Sequence, residues 1–174
     1  MASPVEWLIV GSVAVAAAAS DVRTRRVPNT LTFGAALAAF GWSAAASGLH
    51  GLETSLLGWV TGLLIFLPIF ALRGIGGGDV KLLAAIGAWL GPIGAVETAL
   101  GGAIAGGVLA VGVGIWRGYL REAVRNIFAM LAVWRTVGPA SIPSVTLEGT
   151  RGPRIAYALP IALGAFIAMW LRTR

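Results

Sequence analysis

Apolar residues run almost unbroken from 4 to 20, interrupted only by Glu6, and give way at once to Asp21-Val22-Arg23-Thr24-Arg25-Arg26. Comparable apolar runs recur at 30–47, 54–72, 80–90, 93–116 and 155–171, separated by short polar breaks. Most approach the ~20 residues that a helix needs to span ~30 Å of hydrocarbon. The pattern therefore predicts an all-α, polytopic membrane protein with six transmembrane helices, built as one domain over residues 1–174. The first run is expected to be a retained anchor, not a signal peptide, because its basic cluster follows the apolar stretch instead of preceding it.

The breaks carry local signals. Pro28-Asn29 restarts the chain, with Asn29 expected to cap the second helix. Residues 48–53 read as a polar turn holding His50. Gly74-Ile75-Gly76-Gly77-Gly78-Asp79-Val80-Lys81 is expected to be a loop, since each Gly costs about 1 kcal/mol relative to Ala in a helix. Gly91-Pro92 is expected to divide the fourth run from the fifth. Arg117, Arg121 and Arg125 recur at i, i+4 and i+8, with Leu120, Val124, Ile127, Phe128 and Leu131 on other faces. That spacing predicts an amphipathic helix over 117–137, lying on an anionic membrane surface or on the protein's own loops. A polar linker over 138–153 completes a cytoplasmic segment at 117–153.

Composition supports this reading: 57% of the 174 residues are hydrophobic and 11% charged, against ~25% charged in soluble domains. There is no cysteine and one histidine, which excludes disulfides, cysteine nucleophiles and cysteine- or histidine-rich metal sites. The net charge of +6 is read through topology, not as nucleic-acid binding. With the amino terminus outside and six crossings, eleven of the thirteen basic residues fall on one side and only Arg172 and Arg174 on the other. The positive-inside rule asks for that asymmetry, so the basic side is expected to be cytoplasmic. Gly58/Gly62, Gly87/Gly91, Gly102/Gly106 and Gly114/Gly118 have GxxxG spacing and are assigned to helix packing.

The chemistry narrows to two aspartates. Asp21 at the inner end of the first helix and Asp79 at the inner start of the fourth are expected at the same face and similar depth. Ionisable groups at the hydrocarbon edge are commonly retained for a pathway, a relay or catalysis. Two carboxylates around one water form an acid–base pair, the ionised one taking a proton and the protonated one giving one. Taken singly, each has a plainer reading: Asp21 bridging to Arg23, Arg25 or Arg26, and Asp79 capping its helix. Histidine-based triads fail because His50 falls on the opposite face, and Lys81 has no serine beside it in the glycine loop. Gly76-Gly77-Gly78 would let a substrate backbone approach. The loop lacks the Gly-Lys-Ser/Thr ending of a phosphate-binding P-loop.

Asp21 followed by Arg26-Val27-Pro28-Asn29, then Gly76-Gly77-Gly78-Asp79-Val80-Lys81-Leu82, resembles the GxGD-type aspartic prepilin peptidases. The segment Arg154-Ile155-Ala156-Tyr157-Ala158-Leu159-Pro160-Ile161-Ala162-Leu163-Gly164 resembles, more loosely, that family's last helix. The resemblance implies a single transmembrane peptidase domain that removes the basic leader from type IV pilin-like or archaellin-like precursors at the cytoplasmic membrane face. It implies Asp21 and Asp79 as the catalytic pair, with Gly76, Gly77, Gly78, Lys81, Pro28 and Asn29 as substrate-binding or loop residues. The short length is similar to stand-alone Tad-type peptidases. Larger members add a cysteine-bearing cytosolic domain and methylate the new amino terminus, so cleavage without methylation is expected here. No cofactor or metal is expected; the expected partners are the precursor protein and membrane lipid, and not nucleic acid.

Helix polarity adds an expectation about the proton. The first helix presents its carboxyl end and the fourth its amino end to the shared face, which would favour charge on Asp79 over Asp21. Two other functions are compatible with paired intramembrane aspartates. A small proton-coupled transporter would use them as a relay and place ionisable groups near the midplane. A presenilin-like protease shares GxGD but pairs it with a Tyr-Asp helix in later spans, whereas Ser20-Asp21 lies in the first.

Overall fold

The computed structural model describes residues 4–118, 120–137 and 156–173. The described residues are all-helical: α1 Pro4–Thr24, α2 Asn29–Ala71, α3 Gly77–Trp116, α4 Leu120–Val137 and α5 Ala158–Leu171. Three of these, α1, α2 and α3, are long and apolar enough to cross a membrane, and α5 is a shorter apolar helix.

Two helices are broken where the sequence places breaks. In α2, Ser47 (φ −137°, ψ 16°) and Gly48 (φ 62°, ψ −145°) leave helical geometry. In α3, Gly91 does so (φ 69°, ψ −178°), followed by Pro92. Positive φ favours glycine at both positions, and Pro92 cannot bond back into the preceding turn.

Contact order shows that the chain reverses at each break. Asn29 meets Lys81 and Ala35 meets Trp89, so the first half of α2 runs parallel to the start of α3. Ser55 meets Ala88, Gly62 approaches Leu83 and Phe70 approaches Gly77, so the second half runs antiparallel to that same stretch. Beyond Gly91, α3 runs antiparallel to α5, with Glu97 on Arg172 and Gly106 on Pro160. Finally α5 runs antiparallel to α1, from Asp21 beside Ala158 to Trp7 beside Phe166. Six apolar segments thus point alternately toward and away from the end that holds Asp21.

Glycine packing makes these approaches possible. A methyl on Gly58 or Gly87 would collide with the other's carbonyl oxygen, and one on Gly164 would collide with α3 at Thr98 and Gly102. Small residues replace the hydrophobic drive that lipid does not supply. The Gly114/Gly118 pair behaves differently from expectation. Gly114 faces Leu120, and Gly118 (φ 67°) lies in the turn that follows α3, so this pair shapes the entry to α4.

Three boundaries also differ from expectation. Residues 49–53 are helical, so the break after the second run is confined to Ser47–Gly48 instead of a six-residue turn. Gly77 to Lys81 are helical too, because Gly77 and Gly78 fall in a first turn that packs against Phe70 and Val27. Asn29 does not cap α2: Pro28 holds the cap position with no side-chain bond, and Asn29 Oδ1 accepts from Lys81 Nζ at 3.0 Å. The predicted amphipathic helix is present as α4, which touches only α3 among the described elements. The linker at 138–153 lies outside the described residues.

Candidate active site

Asp21 sits in the last turn of α1, whose end is tied down locally. The Ser20 and Thr24 hydroxyls both donate to the Arg26 carbonyl, at 2.9 and 3.2 Å, while Arg25 N–H closes onto Asp21 O at 2.9 Å. Arg25 then adopts a left-handed conformation (φ 56°), a common way to end a helix but strained for a side chain bearing Cβ. The chain turns back through Val27 and Pro28, and Val27 rests on Gly78. A methyl on Gly78 would lie 3.1 Å from Val27 Cβ. The absent side chain at Gly78 is what lets the two motifs touch.

Asp79 occupies the third position of α3, behind the cap Gly76. Its backbone N–H donates to Gly76 O at 3.1 Å, and its carboxylate accepts the Gly76 amide in return. That reciprocity is the N3 half of a capping box. Asp79 thus helps to cap α3 from its third position, while Gly76 holds the cap position itself. The stretch from Gly77 to Gly91 is about 14 residues and about 21 Å long, shorter than the ~30 Å hydrocarbon.

Asp21 and Asp79 are each 8% exposed. They line one cavity of about 440 Å³ together with Arg25, Arg26, Val27, Pro28, Asn29 and Gly76 to Gly78. The carboxylates are near enough for the charge of one to act on the other. Of the residues singled out by sequence, Lys81 alone does not line this cavity. It stands beside it, bonded to Asn29 and 5.5 Å above the Phe33 ring. Lys81 thereby ties the start of α3 to the start of α2, holding both motifs in one frame.

Two contributors had no assigned role in the sequence reading. The Ala158 amide, at the start of α5, donates to Asp21 Oδ2 at 3.2 Å in a buried setting. Tyr157, the residue before it, lies near enough for the charge of Asp79 to act on its hydroxyl. The only sequence signal for either was the loosely matched last-helix segment, which quoted these residues without assigning them a task. The same contact weakens the asymmetry expected from helix polarity. Asp21 lies between the carboxyl end of α1 and the amino end of α5, whose dipoles oppose each other there, while Asp79 sits at the amino end of α3 alone.

The remaining polar features lie elsewhere. A cavity of about 520 Å³ at the opposite end is lined by Glu6, His50, Glu97 and Arg172, with Arg172 paired to Glu97 at 2.9 Å. Between the ends, the buried polar residues among those described are Thr32, Ser55 and Thr98, none of them ionisable at neutral pH. A proton relay across the bundle finds no stepping stones there. Among the described residues, no group of three or more His, Cys, Asp or Glu side chains stands together as a metal site would need.

The Type IV leader peptidase family profile matches residues 8–111 of the chain. The prepilin leader peptidase/N-methyltransferase of Burkholderia pseudomallei strain 1026b is 35% identical over 117 residues, covering 62% of this chain and 36% of that protein. The same enzyme from strain K96243 matches to the same extent. The chain thus aligns with little more than a third of the length of these curated relatives. No solved structure matches it.

Proposed function

The chain belongs to the type IV leader peptidase family, and from that premise we propose that it is an aspartic endopeptidase of the membrane face. It removes the basic leader from type IV pilin-like precursors, with Asp21 and Asp79 as the catalytic pair. The observation that carries this reading is the convergence of the two aspartates, from helices far apart in sequence, as nearly buried carboxylates on one cavity.

The mechanism follows from two acids that cannot both ionise at close range. One carboxylate is ionised and takes a proton from a water between them. The oxygen of that water attacks the scissile carbonyl carbon, while the protonated partner donates to the carbonyl oxygen. Collapse of the tetrahedral species expels the amine, which takes up a proton from the pair. Asp21 is oriented by the Ala158 amide and Asp79 by the Gly76 amide. Gly76, Gly77 and Gly78 present a wall without side chains, against which an extended peptide backbone fits. Pro28, Asn29 and Lys81 fix the facing wall.

Each of the six apolar segments, alternating in direction, crosses the inner membrane once, as part of a single peptidase domain. The charge distribution supports this orientation. Arg23, Arg25, Arg26, Arg73 and Lys81 gather at the end that holds the aspartates, so the site faces the cytoplasm. We assign cleavage without N-methylation to these residues. They contain no cysteine, and the alignment leaves most of the bifunctional relatives' length unmatched.

The test is co-expression with a pilin-like precursor, following leader loss by intact mass for the native chain, Asp21→Asn and Asp79→Asn. Cleavage by the native chain and by neither variant is the expected result. Undiminished cleavage in either variant would overturn the aspartic mechanism.

A further inference from the structure

Arg172 departs from the charge asymmetry of the chain. Arg23, Arg25, Arg26, Arg73 and Lys81 stand toward the end that holds the aspartates, whereas Arg172 follows α5 at the opposite end. Its guanidinium has two partners there. Nε donates to Glu97 Oε2 at 2.9 Å, and Nη1 donates to the carbonyl oxygen of Leu90. Leu90 precedes the break at Gly91 and Glu97 follows it, so one side chain grips α3 on both sides of its break.

The Leu90 carbonyl needs such a partner. A helix leaves its last four carbonyls without partners along its own chain, and in lipid no water makes up the loss. Gly91 has left helical geometry, and Pro92 has no N–H to offer. Two side chains distant in sequence answer instead: Ser55 Oγ donates to Ala88 O at 2.7 Å, and Arg172 serves Leu90. A guanidinium at a helix carboxyl end also meets the negative pole of its dipole.

The break separates the two aspartates. Before it, α3 carries Asp79 and is bound to α2: Gly87 meets Gly58, and Trp89 Nε1 donates to Ala35 O at 2.9 Å. Beyond it, α3 packs on α5, with Gly101 and Gly102 against Gly164 and Ile161. Asp21 belongs with this second group, because α1 packs chiefly on α5 and the Ala158 amide holds its carboxylate. The two groups of helices are joined along α3 at Gly91, and Arg172 ties across that joint. The lengths match as well. α5 has 14 residues and is about as long as α3 from Gly77 to Leu90, about 21 Å each. Bound to Asp21 at its first residue and to Leu90 just past its last, α5 spans the same depth as the helix that presents Asp79.

We propose that Arg172 is a positioning residue for the cleavage: by bridging Leu90 and Glu97 it fixes the first part of α3 against α5, and so sets the depth and separation of Asp79 relative to Asp21. The inference rests on the peptidase reading above and adds a residue at the far end of the bundle on which the geometry of the pair depends. Two carboxylates that must share one water lose rate steeply when displaced, since a misplacement of about 1 Å can cost on the order of a hundredfold.

Two measurements test this. The chain contains no cysteine, so cysteines introduced at the exposed Val22 of α1 and Leu37 of α2 carry spin labels that read the distance between the two groups of helices. Arg172→Gln is expected to shift and broaden that distance distribution. For cleavage of a pilin-like precursor, the same variant is expected to lower kcat per folded molecule about tenfold with KM unchanged. Arg172→Lys keeps the charge but not the planar fork that reaches both partners, and is expected to recover part of both losses. Should Arg172→Gln not fold, Arg172→Lys reads the same two quantities against the native chain.

A native distance distribution in the variants would overturn the positioning role, and so would a native kcat. Native chain that fails to cleave the precursor, while the substitution still shifts the distance, would instead overturn the peptidase reading, which keeps the two failures apart.

Discussion

The backbone amide of Ala158 donates a 3.2 Å hydrogen bond to Asp21 Oδ2, joining the first residue of α5 to the last turn of α1. The bond gives Asp21 a structural part beside the chemical one proposed for it, and the two separate by substitution. Asp21→Asn keeps an acceptor oxygen and is expected to abolish cleavage while leaving thermal stability in detergent nearly native. Asp21→Leu strands a buried N–H and is expected to lower stability by about 1–3 kcal/mol. Thermal unfolding of the two purified variants checks the difference. Equal stability would mean the bond contributes nothing.

The Lys81–Asn29 contact links the amino ends of α3 and α2 at a solvent-facing position. Exposed charged contacts of this kind contribute little to stability, under about 1 kcal/mol. Their expected effect lies in positioning. Lys81→Met and Asn29→Ala should each slow cleavage several-fold, and the double variant no further, because the two act through one contact. Losses that multiply in the double variant would refute that linkage.

Gly87 lies where α3 passes α2, and a Cβ there would run into the carbonyl oxygen of Gly58. Backbone cannot give way as a flexible side chain does, so Gly87→Ala is expected to destabilise the fold by about 1–3 kcal/mol or more. The same substitution at Gly107, where nothing lies within 4 Å, should be tolerated. Comparing the two by thermal unfolding controls for helix propensity, which favours Ala at both positions.

Tyr157 lies near enough for the charge of Asp79 to act on its hydroxyl. Tyr157→Phe is expected to slow cleavage while leaving thermal stability in detergent nearly native. Cleavage at the native rate would show that the hydroxyl takes no part at the site.

Much of the helix layout was readable along the chain because lipid imposes a one-dimensional constraint: apolar runs of spanning length, broken by glycine, proline and charge. Ser47–Gly48 and Gly91 break the helices within or beside the gaps between runs. The errors share a cause as well. Gly77 and Gly78 look like loop by propensity, yet first-turn glycines are favoured where another chain segment must pack against them, here Val27 and Phe70. Asn29 looks like a cap, yet its side-chain oxygen is taken by Lys81, far away in sequence. The contribution of Ala158 was hidden because it comes from a backbone amide, which every residue but proline has, and that of Tyr157 because its place beside Asp79 depends on where α5 begins.

By itself the sequence determined that this is an all-helical chain of apolar runs, and pointed to its two aspartates at one end. Hydropathy, break residues and charge are local quantities, and each is legible without knowing what packs against what. Tertiary structure alone decided that α5 returns to α1, so that the backbone amide at its amino end meets Asp21 on the cavity that Asp79 also lines. That outcome depends on glycine-mediated approach between helices distant in sequence, and no local pattern encodes the partner a close approach will find.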